Sequence, residues 1–189
     1  MHFFILVLLF CFLIFLFCLF EISREDFVFL RKSVTTERLF NLAFLTMLVG
    51  LFCARVAYVL FHPSTTFLNP LAFLLFPYFP GLSLSGGIVG VAGFMYLYGG
   101  IKKLPVGRVS DFFSLCFLSA LPFGSLLFFV LSGGKQNLIL AGVTFFVYLL
   151  LFLIFLFQLL PIHRLSKMKE GRMSFLSLTL ALLVALIIT

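Results

Sequence analysis

The stretch that decides the fold is GLSLSGGIVGVAGFMYLYGGIKKLPVGRVSD, residues 81–111. It predicts an apolar helix over about residues 82–100 that ends in a basic loop. Small residues let a second backbone or a lipid approach a membrane helix closely. Because glycine is common in such helices, simple helix packing is the alternative to a binding role. Four glycines remove side-chain bulk from the first half of this helix: Gly86, Gly87, Gly90 and Gly93.

The composition around this stretch is that of an integral membrane protein. Of 189 residues, 63% are hydrophobic and 10% are charged, and the mean hydropathy is +1.29. Soluble domains are about 45–50% apolar and about 25% charged. The apolar runs are too long for barrel strands, and a helix satisfies its own backbone hydrogen bonds in lipid. We therefore expect an all-α, polytopic protein.

The apolar runs predict about six transmembrane helices in a single domain, residues 1–189. Asp111 is expected at the N-cap or in the first turn of the fourth helix. The proline-rich segment 68–80 is too short to cross the bilayer, so it is expected to be interfacial or re-entrant. The six predicted helices are residues 3–20, 39–61, 82–100, 111–132, 137–160 and 173–189.

The basic residues predict the orientation. Eleven of the thirteen lysines and arginines fall in three loops, which are cytoplasmic by the positive-inside rule. Both termini are then extracytoplasmic. The net charge of +7 is spread over these loops rather than gathered on one face, which argues against nucleic-acid binding.

Arg55 is the one basic residue inside an apolar run. A charge at the centre of a membrane helix costs about 2.5–3.5 kcal/mol on insertion scales. Arg55 is therefore expected to have a structural or functional role. Arg55 could snorkel to the interface near His62, form a structural pair, or bind a lipid phosphate. The residue pattern alone does not choose among these three alternatives.

Other chemistry is sparse. The sequence has no paired carboxylates and no cluster with metal-ligand spacing, and it predicts neither a metal nor a cofactor. Its cysteines lie inside apolar runs and are read as packing residues: Cys11, Cys18, Cys53 and Cys116. A basic position beside a glycine-rich helix suits an anionic lipid headgroup.

Four motifs occur in an order and spacing that resemble the prolipoprotein diacylglyceryl transferase family. They are ARVAYVLFH (54–62), NPL (69–71), GLSLSGGIVG (81–90) and LPVGRVSDF (104–112). The resemblance covers about residues 20–125. It implies a bacterial inner-membrane enzyme that moves a diacylglyceryl group from phosphatidylglycerol to the lipobox cysteine of a prolipoprotein.

In that family the nucleophile belongs to the substrate, and the enzyme supplies a base and positive charge for the phosphate leaving group. The resemblance therefore implies phosphatidylglycerol as partner, together with a prolipoprotein signal peptide or another membrane subunit. The retained motif positions, expected to bind lipid, are Arg55, Tyr58, Gly86, Gly87 and Asp111.

Several family positions are replaced. The motif histidine is Ser85, an essential arginine falls at about Ser125, and the following asparagine falls at Phe128. A tyrosine falls at Phe4 and a late arginine near Ala185, and a seventh helix is lacking. Serine is not a base near neutral pH and cannot neutralise a phosphate. The catalytic residues are thus unknown, and weak or absent transfer is expected.

Three readings follow from the residues and the resemblance. The chain is a lipid-binding relative with little or no catalysis, or an active, divergent transferase that uses His62 or His2 as its base. The third reading is a non-enzymatic subunit or a small transporter component. The absence of buried acidic residues other than Asp111 argues against proton or cation coupling.

Overall fold

Every ordered element of the described chain is helical, and no strand occurs in it. The structure, a computed structural model, describes residues 3–24, 26, 29, 34–63, 82–102, 104–131, 138–164 and 169–188. The expected interfacial segment 68–80 lies outside these residues. The all-α fold class is therefore confirmed over the described part.

The helices follow the apolar runs, with shifted ends. We number them α1 (Phe3–Arg24), α2 (Thr36–Phe61), α3 (Leu84–Lys102), α4 (Val106–Leu131), α5 (Leu138–Ile154), α6 (Leu160–Arg164) and α7 (Arg172–Ile188). A π-helical turn, Phe155–Leu159, joins α5 to α6. Helix α4 begins at Val106, so Asp111 lies in its second turn and not at its N-terminus as predicted.

Four helical stretches are long and apolar enough to cross a membrane by length and composition. They are Ile5–Arg24, Thr36–Phe61, Val106–Leu127 and Leu138–Ile162. Helix α7 contributes a shorter apolar stretch, Arg172–Val184. The chain is thus a multi-pass membrane protein with four candidate spans among its described helices, fewer than the six predicted.

The chain divides into two compact units. Unit 1 contains Met1–His2 and Glu37–Val106, and unit 2 contains Phe3–Thr36 and Gly107–Thr189. In unit 1, α2 and α3 form an antiparallel pair with glycine at the contacts. The expected single domain is not tested by this division and stays a prediction.

Unit 2 is assembled on α4, of which 61% of the spanning stretch is buried, against 11% for α1 and for α5. Helix α1 packs on it antiparallel, with edge-to-face rings at Phe15 and Phe113, whose centroids are 5.4 Å apart. Nearer the other end of α4, Phe123 meets Phe145 of α5 at 6.3 Å. The hydroxyl of Tyr148 donates to the Ala181 carbonyl at 3.4 Å and links α5 to α7.

Candidate functional site

The motif glycines bring α3 directly onto α2. A Cβ atom added at Gly86 would lie 2.2 Å from the Cβ of Ala57, and one at Gly90 would lie 2.3 Å from the Cβ of Cys53. Gly87 is less crowded, since an added Cβ would meet Ala54 at 3.4 Å. These glycines therefore let the backbone of α2 approach α3 closely, and helix packing accounts for them without a lipid.

Serine residues fix the beginning of α3. The amide of Ser83 donates to the Ala54 carbonyl of α2 at 3.0 Å, and its hydroxyl accepts from the Gly86 amide at 3.4 Å. Ser83 thus caps α3 while joining it to α2. The hydroxyls of Ser83 and Ser85 are 3.0 Å apart, and Ser85 is exposed.

Arg55, Tyr58 and His62 lie along one face of α2. Their spacing of three and four residues places them in a single row on a helix. Arg55 is fully buried, Tyr58 is half-buried, and His62 is exposed just past the helix end. The rings of Tyr58 and His62 stack with centroids 4.7 Å apart and planes inclined by 19°. We call these three residues the Arg55 row.

Arg55 and most of the glycine contacts use different sides of α2. At about 3.6 residues per turn, Cys53 and Ala57 point away from the direction that Arg55 and His62 share, while Ala54 lies between the two directions, next to Tyr58. The structure therefore brings Gly86 and Gly87 to α2 through its small residues. The side of α2 that holds the basic group is left out of these glycine contacts.

Asp111 belongs to unit 2, where it caps α7, whereas the other predicted lipid-binding residues belong to unit 1. Its carboxylate accepts from the Gly171 amide at 2.8 Å and from the Ser174 amide at 2.7 Å. The side chain is fully buried. Carboxylates stabilise helix N-termini by bonding their exposed amides and complementing the helix dipole. A structural role thus explains Asp111.

A buried ion pair in unit 2 was missed by the sequence reasoning, which placed Arg108 in a cytoplasmic loop. Arg108 lies in the first turn of α4 and donates to Asp26 from Nε at 3.2 Å and from Nη2 at 2.8 Å. Both side chains are nearly inaccessible, at 2% and 0% exposed. Asp26 also accepts from the Phe29 amide at 3.2 Å. The expectation that Asp111 is the one buried acid is therefore wrong.

The comparison with family models decides the relationship. The model described as Prolipoprotein diacylglyceryl transferase matches residues 1–188, nearly the whole chain. The chain belongs to the prolipoprotein diacylglyceryl transferase family. No curated protein and no solved structure matches it. The chain is therefore a prolipoprotein diacylglyceryl transferase-like membrane protein.

Two residues expected to stand at replaced positions of the transferase family motifs can be located in the structure. Ser85 lies in the first turn of α3 beside Ser83. Ser125 donates its hydroxyl to the Pro122 carbonyl within α4 at 2.7 Å, as a serine in a helix commonly does. The side chains of Phe4, Phe128 and Ala185 lie outside the described residues, as does His2.

The transferase family uses a phospholipid donor and a lipoprotein substrate, and the described residues of this chain offer little other chemistry. No group of three His, Cys, Asp or Glu side chains suited to a metal occurs among them. The four cysteines form no disulfide. Cys53 packs against α3 at Gly90, as a small apolar side chain would.

Proposed function

We propose that this family member binds phosphatidylglycerol through the Arg55 row and transfers its diacylglyceryl group weakly or not at all. The observation that supports this most is the complete burial of Arg55 in an apolar helix, at a motif position, in line with Tyr58 and His62. A guanidinium recognises phosphate oxygens through several N–H donors, so Arg55 can hold a lipid phosphate in addition to its contact within the protein. A lipid phosphate is the anion that the membrane and the family supply.

The proposed setting is the bacterial inner membrane, with six spans and both termini extracytoplasmic. In that arrangement the end of α2 at His62 faces the extracytoplasmic side, where the loop basic residues are few. A lipid headgroup at this level is within reach of the Arg55 row. Segment 68–80 is proposed to be interfacial or re-entrant.

Of the residues first expected to bind lipid, Arg55 and Tyr58 keep that proposed role. Gly86 and Gly87 contribute by holding α3 against α2, and Asp111 contributes by holding α7. Weak transfer is proposed because Ser85 and Ser125 replace groups that carry charge or protons in the family. Removing one positioned electrostatic group typically costs about 10²–10³ in rate.

The test measures lipid and product together. The purified protein is assayed for phosphatidylglycerol per chain, then mixed with that lipid and a lipobox peptide, and the thioether is sought by mass spectrometry. We expect wild type to retain phosphatidylglycerol and Arg55→Ala to lose it. Arg172→Ala, which removes an exposed arginine at the start of α7, is the matched control. Equal retention in all three proteins would overturn the proposal.

A second candidate function is a non-catalytic subunit, favoured by the outer side of α3. At Gly93 and Gly100 an added Cβ would meet nothing within 4 Å, and both residues are exposed. Small residues on an open helix face are typical of helix–helix contacts in membranes. Gly93→Leu should then release a co-purifying membrane protein while phosphatidylglycerol retention stays at the wild-type level.

A further inference from the structure

Two of the four cysteines meet where α1 packs on α4 in unit 2. The thiols of Cys18 and Cys116 are hydrogen-bonded to each other, and the Cys18 thiol also shares a hydrogen bond with the hydroxyl of Ser119. Neither cysteine is in a disulfide. We call Cys18 and Cys116 the thiol pair. Its two sulfur atoms come from different helices, so a bond between them would join α1 to α4.

The antiparallel packing of α1 on α4 holds the thiol pair in register. On one side of the pair, the Cys11 thiol donates to the Ala120 carbonyl at 3.9 Å. On the other side, Arg108 forms its ion pair with Asp26 at 2.8 Å. Contacts in both directions along the two helices therefore keep the two sulfur atoms facing each other.

The two thiols differ in their accessibility. Cys116 is fully buried, whereas Cys18 is half-buried. Only 11% of the spanning stretch of α1 is buried within the protein, so lipid covers most of its surface. Cys18 lies about 9 Å along the helix from Arg24, the last residue of α1. A reagent dissolved in the outer part of the acyl region can therefore reach Cys18, while Cys116 is shielded behind it.

We propose that the thiol pair is oxidised to a disulfide by a lipid hydroperoxide. An accessible thiol beside a second thiol is the arrangement of a reactive cysteine and its resolving partner. The apolar packing role expected from the sequence would fill the same space, but it does not need two sulfur atoms in contact. This inference is independent of the Arg55 row and of lipid retention.

The reaction balances with the hydroperoxide as the oxidant. The Cys18 sulfur attacks the outer peroxide oxygen, the oxygen–oxygen bond breaks, and the lipid alcohol leaves with the thiol proton. The Cys116 sulfur then attacks the sulfur of the resulting sulfenic acid. A sulfur–sulfur bond forms while the sulfur–oxygen bond breaks, and water leaves with the second thiol proton. The two thiols lose two electrons, which the peroxide bond gains.

The disulfide would close a long loop that contains all of α2 and α3. A cross-link stabilises mainly by restricting the unfolded chain, and more so when the loop is long. We therefore expect oxidation to raise the Tm in detergent micelles by about 4–16 °C. Reduction with dithiothreitol should reverse this rise.

The experiment uses the double variant Cys11→Ser/Cys53→Ser, in which the thiol pair supplies the only cysteines. The protein is placed in phosphatidylglycerol nanodiscs that contain a phospholipid hydroperoxide, and its peptides are mapped by mass spectrometry without reduction. We expect a cross-linked peptide that joins Cys18 to Cys116 and is two hydrogens lighter than its reduced parts. Hydrogen peroxide at the same concentration should react more slowly, because it must leave water to reach Cys18.

Two single-thiol variants made in the same background separate the roles of the pair. With Cys116→Ser added, Cys18 should stop at the sulfenic acid, which dimedone traps. With Cys18→Ser added, Cys116 should stay reduced because it is buried. These two variants are matched controls, since each removes one sulfur from the same contact.

Several results would overturn the inference. One is a thiol pair that stays reduced in the presence of the phospholipid hydroperoxide. Another is oxidation of Cys18 to the sulfinic acid while Cys116 stays free, because the second thiol would then not act as the resolving partner. Faster oxidation by hydrogen peroxide would contradict attack from the lipid. The cross-link is mapped in the double variant itself, so the test does not depend on the folding of the single-thiol variants.

Discussion

The two units use their buried arginines in contrasting ways. In unit 2, Arg108 donates twice to Asp26, and the neighbouring Asp111 is engaged with the amides of α7. In unit 1, Arg55 begins a row that runs to the exposed end of α2 at His62. The first arrangement pairs its guanidinium with a carboxylate, while the second continues to an exposed imidazole at the end of α2. A buried charge near a motif is thus not by itself a sign of a ligand site.

Breaking the Asp26–Arg108 ion pair should have the largest effect on the free energy of unfolding. Arg108→Ala leaves Asp26 buried without the guanidinium, which typically costs about 3–5 kcal/mol. We expect a loss of that size in the free energy of unfolding, measured by denaturant titration in detergent micelles. The double variant Asp26→Leu/Arg108→Met should recover most of it, because an apolar pair removes both charges together. A single variant as stable as wild type would contradict the structural reading of this pair.

The glycine contact of unit 1 should have the next largest effect. Gly86→Ala places a methyl group 2.2 Å from the Cβ of Ala57, so the helices must separate, at a typical cost of about 1–3 kcal/mol. Gly93→Ala is the matched control because open space surrounds that position. The same titration should show destabilisation in the first variant alone. Equal stability of the two would mean that α3 does not pack on α2 at Gly86.

A smaller effect is expected at the helix cap. Asp111→Asn keeps an acceptor but loses the negative charge and one of two carboxylate oxygens, so a loss of about 1–2 kcal/mol follows. Hydrogen exchange of the Gly171 and Ser174 amides should accelerate in this variant. Ser114→Ala serves as control, since that hydroxyl bonds within α4. Unchanged exchange at both amides would argue against the cap and revive a lipid role for Asp111.

The smallest effect is expected at the α5–α7 contact. The hydroxyl of Tyr148 reaches the Ala181 carbonyl at 3.4 Å, a long hydrogen bond. Tyr148→Phe should therefore change the unfolding free energy by less than about 1 kcal/mol. A larger loss would show that this hydrogen bond stabilises unit 2 more than its length indicates.

The sequence predicted the membrane class and the helical fold because long apolar runs leave the backbone few alternatives. It did not predict the burial of Arg108, since a basic residue after Lys102 and Lys103 looks like part of a cytoplasmic loop. Its partner, Asp26, is 82 residues away along the chain, and only tertiary structure brings the two together. The position of Asp111 was missed for a related reason, because the start of α4 at Val106 follows a proline that suggested a turn.

At the candidate site, the sequence singled out Arg55 and Tyr58 as expected lipid-binding residues, a role that stays a prediction, but it could not separate two uses of the glycines. Both close helix packing and a lipid groove require small residues, so the pattern is the same for each. The distances at Gly86 and Gly90 decide for packing. The stack of Tyr58 on His62 has a sequence signal, because residues four apart on a helix are neighbours on its surface.

The central claim is that the Arg55 row, and not the Asp26–Arg108 pair, holds the lipid. The most direct test measures phosphatidylglycerol per chain, by mass spectrometry of the purified protein, in Arg55→Gln and in Asp26→Leu/Arg108→Met. The account predicts that Arg55→Gln loses the bound lipid while the double variant retains the wild-type amount. Retention in Arg55→Gln together with loss in the double variant would contradict it.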